Sequence, residues 1–208
     1  MEQNLDKVDW YRLSGNPNAI PLLEKHQDKI CWIVLSSNPN AISLLEQNLD
    51  QVYWEGFSRN PNAIHVLEKN MNKVNGWNLS GNPNAIHLLE KNPEFINWES
   101  LSRNPNGSRL LEKNLDKVEW WTLSRNPGAM DLIEKNLDKV DWAQLSTNPS
   151  AIHLLEKNLE KISWNNLSVN KNAVSMFPKH EKLDKINWVL FSCNPGIFEE
   201  EENDYVCK

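Results

Sequence analysis

The sequence predicts an all-α fold, an α-solenoid of about nine short two-helix repeats, each 22 residues long. Three observations carry that expectation. Ser14, Ser36, Ser58, Ser80, Ser102, Ser124, Ser146 and Ser168 stand 22 residues apart and Ser192 follows after 24, so one period fills the chain. An Asn-Pro pair opens nearly every copy, as at Asn82-Pro83 and Asn148-Pro149. This is the chemistry of a helix start, because the Asn side chain accepts from orphan N–H groups and Pro brings a preset φ with no N–H to lose. Finally, Ala85, Ile86, Leu88 and Leu89 fall at spacings of one, three and four, which places them on one helical face.

The unit reads N-P-N-A-I-x-L-L-E-K-N-L-D-K-V-D-W-x-x-L-S-x. Its first half predicts a helix of about nine residues, with Lys91 near the end, where a cation suits the dipole, and Asn92 as a left-handed stop. Its second half predicts another short helix, since Asp141, Trp142, Ala143 and Gln144 form a D-x-x-Q capping box and Asn92-Pro93 opens that half in another copy. Trp142 and Leu145, three apart, share its inner face on this reading. Helices below ~12 residues are marginal in water, so each apolar stripe must be buried against neighbouring repeats.

A leucine-rich-repeat-like solenoid is the alternative, because Leu13-x-x-Asn16 and the 22-residue period fit it in part. It needs an alternating apolar strand before the Asn. The position after Trp holds Tyr11, Ile33, Glu55, Glu99, Trp121 and Ala143 in turn.

With 24% charged and 39% hydrophobic residues and 7 Gly, the composition is globular. The net charge is −6, of which residues 199–208, an expected acidic C-terminal tail, carry −4, leaving −2 for the repeat solenoid over residues 1–198. A nearly neutral body lacks the cationic surplus that phosphate binding requires, so nucleic acid is not the expected partner. The polar N-terminus and the lack of any apolar run near ~18 residues predict a protein without a membrane span, kept inside the cell. Cys31, Cys193 and Cys207 show neither metal-ligand spacing nor a disulfide framework.

Tandem NPNAIxLLEKN...DW..LS units resemble repeat proteins of large (giant) DNA viruses that infect amoebae and other protists, and the likeness covers nearly the whole chain. The resemblance implies a viral origin, with the host cytoplasm or the virion as the location. It carries over no catalytic residue.

Of the ten tryptophans, Trp10, Trp32, Trp54, Trp98, Trp120, Trp142, Trp164 and Trp188 share one repeat position and are expected to fill the core between helices. Trp77 lies one residue out of phase, after Gly76, and is expected to replace the missing ring; Trp121 is an extra aromatic beside Trp120 and a candidate exposed anchor. His65, His87 and His153 share a helix position that elsewhere holds Ser43, Arg109 and Asp131, so they read as a solvated row and not a metal site. The recurrent Asn reads as a cap and Ser102 with its equivalents as a turn or cap hydroxyl. Glu90-Lys91 and its equivalents predict interleaved rows of opposite charge.

What varies is the position before the Asn, which holds Arg59, Arg103 and Arg125 among smaller residues, and the pair Ile33-Val34, which replaces polar residues after Trp32. Positions free of the folding requirement are where a binding surface can be written. The candidate partner-binding residues are therefore Ile33, Val34, Arg59, Arg103, Trp121 and Arg125; no catalytic, cofactor-binding or metal-ligating residue is assigned. The expected function is a non-enzymatic scaffold or adaptor for another protein, viral or host, with a structural component of the virion as the alternative. Because Leu5, Val8 and Trp10 lack a preceding helix, the N-terminal end is expected to be covered by a partner ahead of the alternative, self-association with a second copy of the chain. Near the other end, Asn170-Lys171 loses the Pro and Glu181-Lys182 lengthens the unit by two.

Overall fold

The computed structural model describes residues 2–198, and the acidic tail expected at 199–208 lies outside the described residues. The chain forms two compact units, Met1–Lys113 and Asn114–Lys208. Each is built from pairs of short helices, and no strand occurs among the described residues. The fold is an all-α repeat solenoid, and the β-containing alternative falls with the absence of strands.

One copy in the first unit shows how the repeat is made. Asn82-Pro83-Asn84-Ala85 is a turn, closed by the Ala85 N–H donating to the Asn82 carbonyl at 3.1 Å, with Pro at the position its fixed φ favours. The Asn82 side-chain oxygen accepts from the Asn84 N–H at 3.0 Å. The α-helix proper starts only at Ile86 and runs to Lys91. A helix of about nine residues was expected; it has 6 residues here because the first four positions are taken up by the turn.

The helix also ends differently from expectation. Asn92 has φ −133°, outside the left-handed region, and instead its side-chain amide turns back to donate to the Leu88 carbonyl at 2.8 Å. The amides of Asn48, Asn70, Asn136 and Asn158 do the same at 2.9 Å. The one described non-glycine residue with positive φ is Glu181, at 56°. There the Lys182 N–H reaches the Phe177 carbonyl at 2.8 Å, the long-range bond of a Schellman turn. That turn absorbs the two-residue insertion anticipated at Glu181-Lys182.

After Asn92 comes a 3-10 turn, Pro93–Phe95, and then the second helix, Trp98–Arg103. Its N-cap Asn97 accepts from the Ser100 N–H at 2.9 Å. In the second unit Asp141 caps the Gln144 N–H at 2.8 Å. The reciprocal half of the expected capping box does not form: the Asp141 N–H goes to the hydroxyl of Ser124, one repeat earlier, at 2.9 Å.

Stacking follows from side chains at fixed positions. Ala85, Leu88, Leu89 and Leu101 are fully buried, as are Ala151, Leu155 and Leu167 in the second unit. Each such Leu contributes roughly 1.5 to 3 kcal/mol by leaving water. The second helices lie side by side, with Gly76–Ser80 packed between Trp54–Ser58 and Trp98–Arg103.

Two polar ladders join the repeats. The serine hydroxyl is the smaller one: Ser58 Oγ donates to the Trp54 carbonyl at 2.6 Å and accepts from the Asn75 N–H of the following repeat at 3.0 Å. The second uses the Asn at the first position of the unit. Asn60 Nδ2 donates to Ser36 O and Asn38 O at 3.3 and 3.0 Å, Asn82 Nδ2 to Ser58 O and Asn60 O at 3.1 and 2.9 Å, and Asn104 Nδ2 to Ser80 O and Asn82 O at 2.9 Å each. In the second unit Asn170 Nδ2 bonds Ser146 O and Asn148 O at 3.0 and 2.9 Å. These amides are at most 2% exposed. A parallel set on the surface runs from the second Asn of each motif, as in Asn84 Nδ2 to Pro61 O at 3.0 Å.

Capping therefore accounts for half of what the recurrent Asn does, and the other half is a buried joint between repeats. Asp caps a helix as well as Asn does but has no amide to donate. Asn82→Asp should accordingly cost about 3 to 5 kcal/mol, because the Ser58 carbonyl loses its donor, the Asn60 carbonyl loses one of two, and both face a buried carboxylate, whereas Asn84→Asp should cost about 1 kcal/mol. Denaturant unfolding measures both; a near-neutral Asn82→Asp would reduce the residue to a cap.

Candidate binding surface

The tryptophans do not form the core. Trp10, Trp32, Trp54, Trp98, Trp120, Trp142 and Trp164 are half-buried and Trp188 is exposed. Each is the first residue of a second helix, and in all of these repeats but the first and last described the residue three positions on fills the interior instead, as Phe57, Leu101 and Leu145 do at 0% exposure. At three of the rings a lysine from the following repeat lies over the indole: Lys73 Nζ is 5.1 Å from the Trp54 ring centre, Lys139 5.5 Å from Trp120 and Lys161 4.8 Å from Trp142. At Trp10 and Trp164 a histidine ring takes part instead, His26 at 5.4 Å and His180 at 6.3 Å.

Trp77 is a second correction. Gly76 occupies the tryptophan position, and a Cβ there would stand 2.5 Å from the Phe95 carbonyl oxygen, so the backbones are too close for any side chain. Phe95 in turn stands where other repeats carry the covering lysine. The Trp–Lys pair has become Gly–Phe, and Trp77 is left 43% exposed instead of filling the core.

That places Trp77 in a row. The residue after the tryptophan position faces solvent: Tyr11 at 65%, Ile33 at 61% and Trp77 at 43% in the first unit, Trp121 at 51% and Val189 at 79% in the second. Ile33 and Trp121 were assigned from the sequence. Tyr11 and Trp77 were missed, although their repeat register matches.

The other candidates lie beside this row. Val34 is half-buried and packs where a Cβ on Gly15 would be 3.2 Å from its Cγ1, so the position before Asn in one repeat abuts the second helix of the next. Arg59, Arg103 and Arg125 occupy that position and are exposed. Arg103 is paired within its own helix, Nη2 to Glu99 Oε1 at 2.6 Å. Arg59 has Glu55 four residues earlier, but that carboxylate accepts from the Tyr53 hydroxyl, an interaction that pushes the tyrosine pKa up through the hydrogen bond first and the charge second. Four of the six candidates thus belong to the first unit, and Trp121 and Arg125 to the second.

The opposite signs interleave as expected. Lys91 Nζ reaches Glu68 at 2.9 Å, Lys113 reaches Glu90 at 3.7 Å and Lys179 reaches Glu156 at 2.5 Å, each one repeat apart. His65 and His153 join this pattern, bonding Glu46 and Glu134 at 2.8 and 2.7 Å. Among the described residues no group of three His, Cys, Asp or Glu side chains is placed to hold a metal ion. A depression in the second unit is lined by Lys171, Asn172, Val174, Ser175, Pro178 and Gly196, and so offers one titratable group and no acid–base pair.

At the two ends, Leu5, Val8 and Trp10 are half-buried and Tyr11 is 65% exposed, while Leu183, Trp188 and Val189 are 56%, 65% and 79% exposed. No helix among the described residues is long and apolar enough to cross a membrane. Comparison with protein-family models, curated proteins and solved structures found no match.

Two expectations follow. Trp142→Ala should cost about 1 to 3 kcal/mol, less than a buried ring would, and Trp121→Ala within about 0.5 kcal/mol; unfolding midpoints compare them, and equal costs would contradict the assignment of Trp121 to the outer row. Lys91 holds the Glu68 carboxyl below the ordinary carboxylate range, by hydrogen bond first and charge second, and Lys179 does so for Glu156. A carboxylate with a lowered folded-state pKa adds stability above the unfolded value and loses it as pH falls through the folded value. The melting temperature of the wild type should therefore fall further on acidification than that of the Glu68→Gln, Glu156→Gln variant, with the gap narrowing in high salt.

Proposed function

We propose that the chain is a non-enzymatic scaffold or adaptor that binds another protein through the row following the tryptophan position. On the resemblance of its repeat, the setting is a virus-infected cell. The row carries this reading. Tyr11, Ile33 and Trp77 are large and apolar, stand exposed, and serve neither the Asn ladder, the Ser ladder nor the Leu core. Aromatic side chains are enriched among residues that dominate protein interfaces. The positions alternate with Glu55 and Glu99 in the same register, so neighbouring repeats present different chemistry at regular intervals on a common frame.

The experiment is affinity capture from infected cells with the wild type, a Tyr11→Ser, Ile33→Ser, Trp77→Ser variant and a Lys91→Ser control on the charged row. Proteins retained by wild type and control and lost from the triple variant support the row as the interface. An unchanged set across all three would overturn it.

A further inference from the structure

We infer that Trp121 and Arg125 together form a docking site for an acidic, apolar segment of a partner protein. This rests on the scaffold reading above and names the chemistry of the segment. Trp121 lies on the Trp120–Leu123 helix, and Ser124 continues with helical dihedrals of φ −58° and ψ −25°, so Arg125 follows about one turn later on the same side. The same two repeat positions hold Glu99 and Arg103 in the first unit, where they meet at 2.6 Å, which shows that side chains placed there reach each other.

In the second unit the acid of that pair is replaced by an indole. Arg125 is left exposed, and its guanidinium has no hydrogen bond or ion pair among the described residues. One repeat further on, the two positions hold Ala143 and Thr147, whose hydroxyl donates to the Gln144 carbonyl at 2.8 Å, so no acid is supplied from there. The result is a planar apolar surface, 51% exposed, beside a guanidinium that has lost its internal carboxylate.

A guanidinium recognises a carboxylate through parallel N–H donors, and the indole face suits an aliphatic or aromatic side chain close by in the same segment. Trp and Arg are also the residue types most enriched where binding energy concentrates. A single-stranded nucleic acid offers a phosphate and a base in place of the carboxylate and apolar group. The charge of −2 over residues 1–198 makes that the poorer fit.

The test selects phage-displayed random dodecapeptides on the full chain and compares binding to W121Q and R125Q, whose circular dichroism and unfolding midpoints are first matched to wild type. The expected winners carry Asp or Glu close to Leu, Ile, Met or Phe. Their dissociation constants should rise about tenfold or more on each variant, and R125E should regain affinity for a peptide whose acid is changed to Lys. Winners without an acid, affinities indifferent to both variants, no enrichment, or an oligothymidine whose binding W121Q abolishes would each overturn the site. Winners lost instead on Ile33→Asp or Trp77→Asp would remove this site while leaving the scaffold reading in place.

Discussion

Everything in this molecule depends on a buried amide. Short helices cannot hold their shape in water, and a Leu stripe by itself would let them slide and turn against one another. The Asn side chain prevents this because its two ends do different things. The oxygen fixes the turn inside its own repeat, as Asn82 does for the Asn84 N–H, while the nitrogen is committed to two earlier carbonyls, Asn60 O at the start of the preceding repeat and Ser58 O at the end of the one before it. Of the two, the Ser58 carbonyl lies at a helix end, where backbone oxygens have no partner in their own helix, while the Asn60 carbonyl also accepts the Ala63 N–H that closes its own turn. One residue thus satisfies groups that burial would otherwise leave stranded.

The tryptophan and lysine are secondary to this frame, which is why they are exchangeable. Where Gly76 replaces the ring, Phe95 replaces the lysine and the Ser80 hydroxyl turns to the Phe95 carbonyl, yet Asn82 and Asn104 keep their bonds. The outer layer is repacked and the inner polar joint is unchanged. The same separation allows residues such as Ile33, Glu55 and Trp77 to differ in chemistry at one register without consequence for the stack.

The period, the helices and the interleaved charges were legible in the sequence because each repeats with a spacing that physical rules fix: 22 residues for the unit and one, three and four for the buried face. The donor half of the Asn was not legible, since capping already explained the residue and a side chain's second role leaves no mark on local pattern. The burial of the tryptophans was misjudged because ring size suggests an interior, while their place at the first turn of a 4 to 6 residue helix leaves one face outward. The exposed row was half legible. Ile33 and Trp121 stood out as apolar residues at a variable position, whereas Trp77 was hidden by the frame shift that Gly76 introduces.

The joint between repeats is read almost wholly by backbone atoms: amide to carbonyl through Asn, and N–H to hydroxyl through Ser. A repeat therefore recognises its neighbour without recognising which neighbour it is. Gene duplication or loss of one 22-residue copy would leave the Asn and Ser joints chemically the same wherever the Gly76–Phe95 contact is not interrupted, so a lineage can lengthen or shorten such a stack in whole steps and shift the order of its outward residues. New combinations of surface chemistry would then arise by rearranging existing copies, ahead of any point substitution.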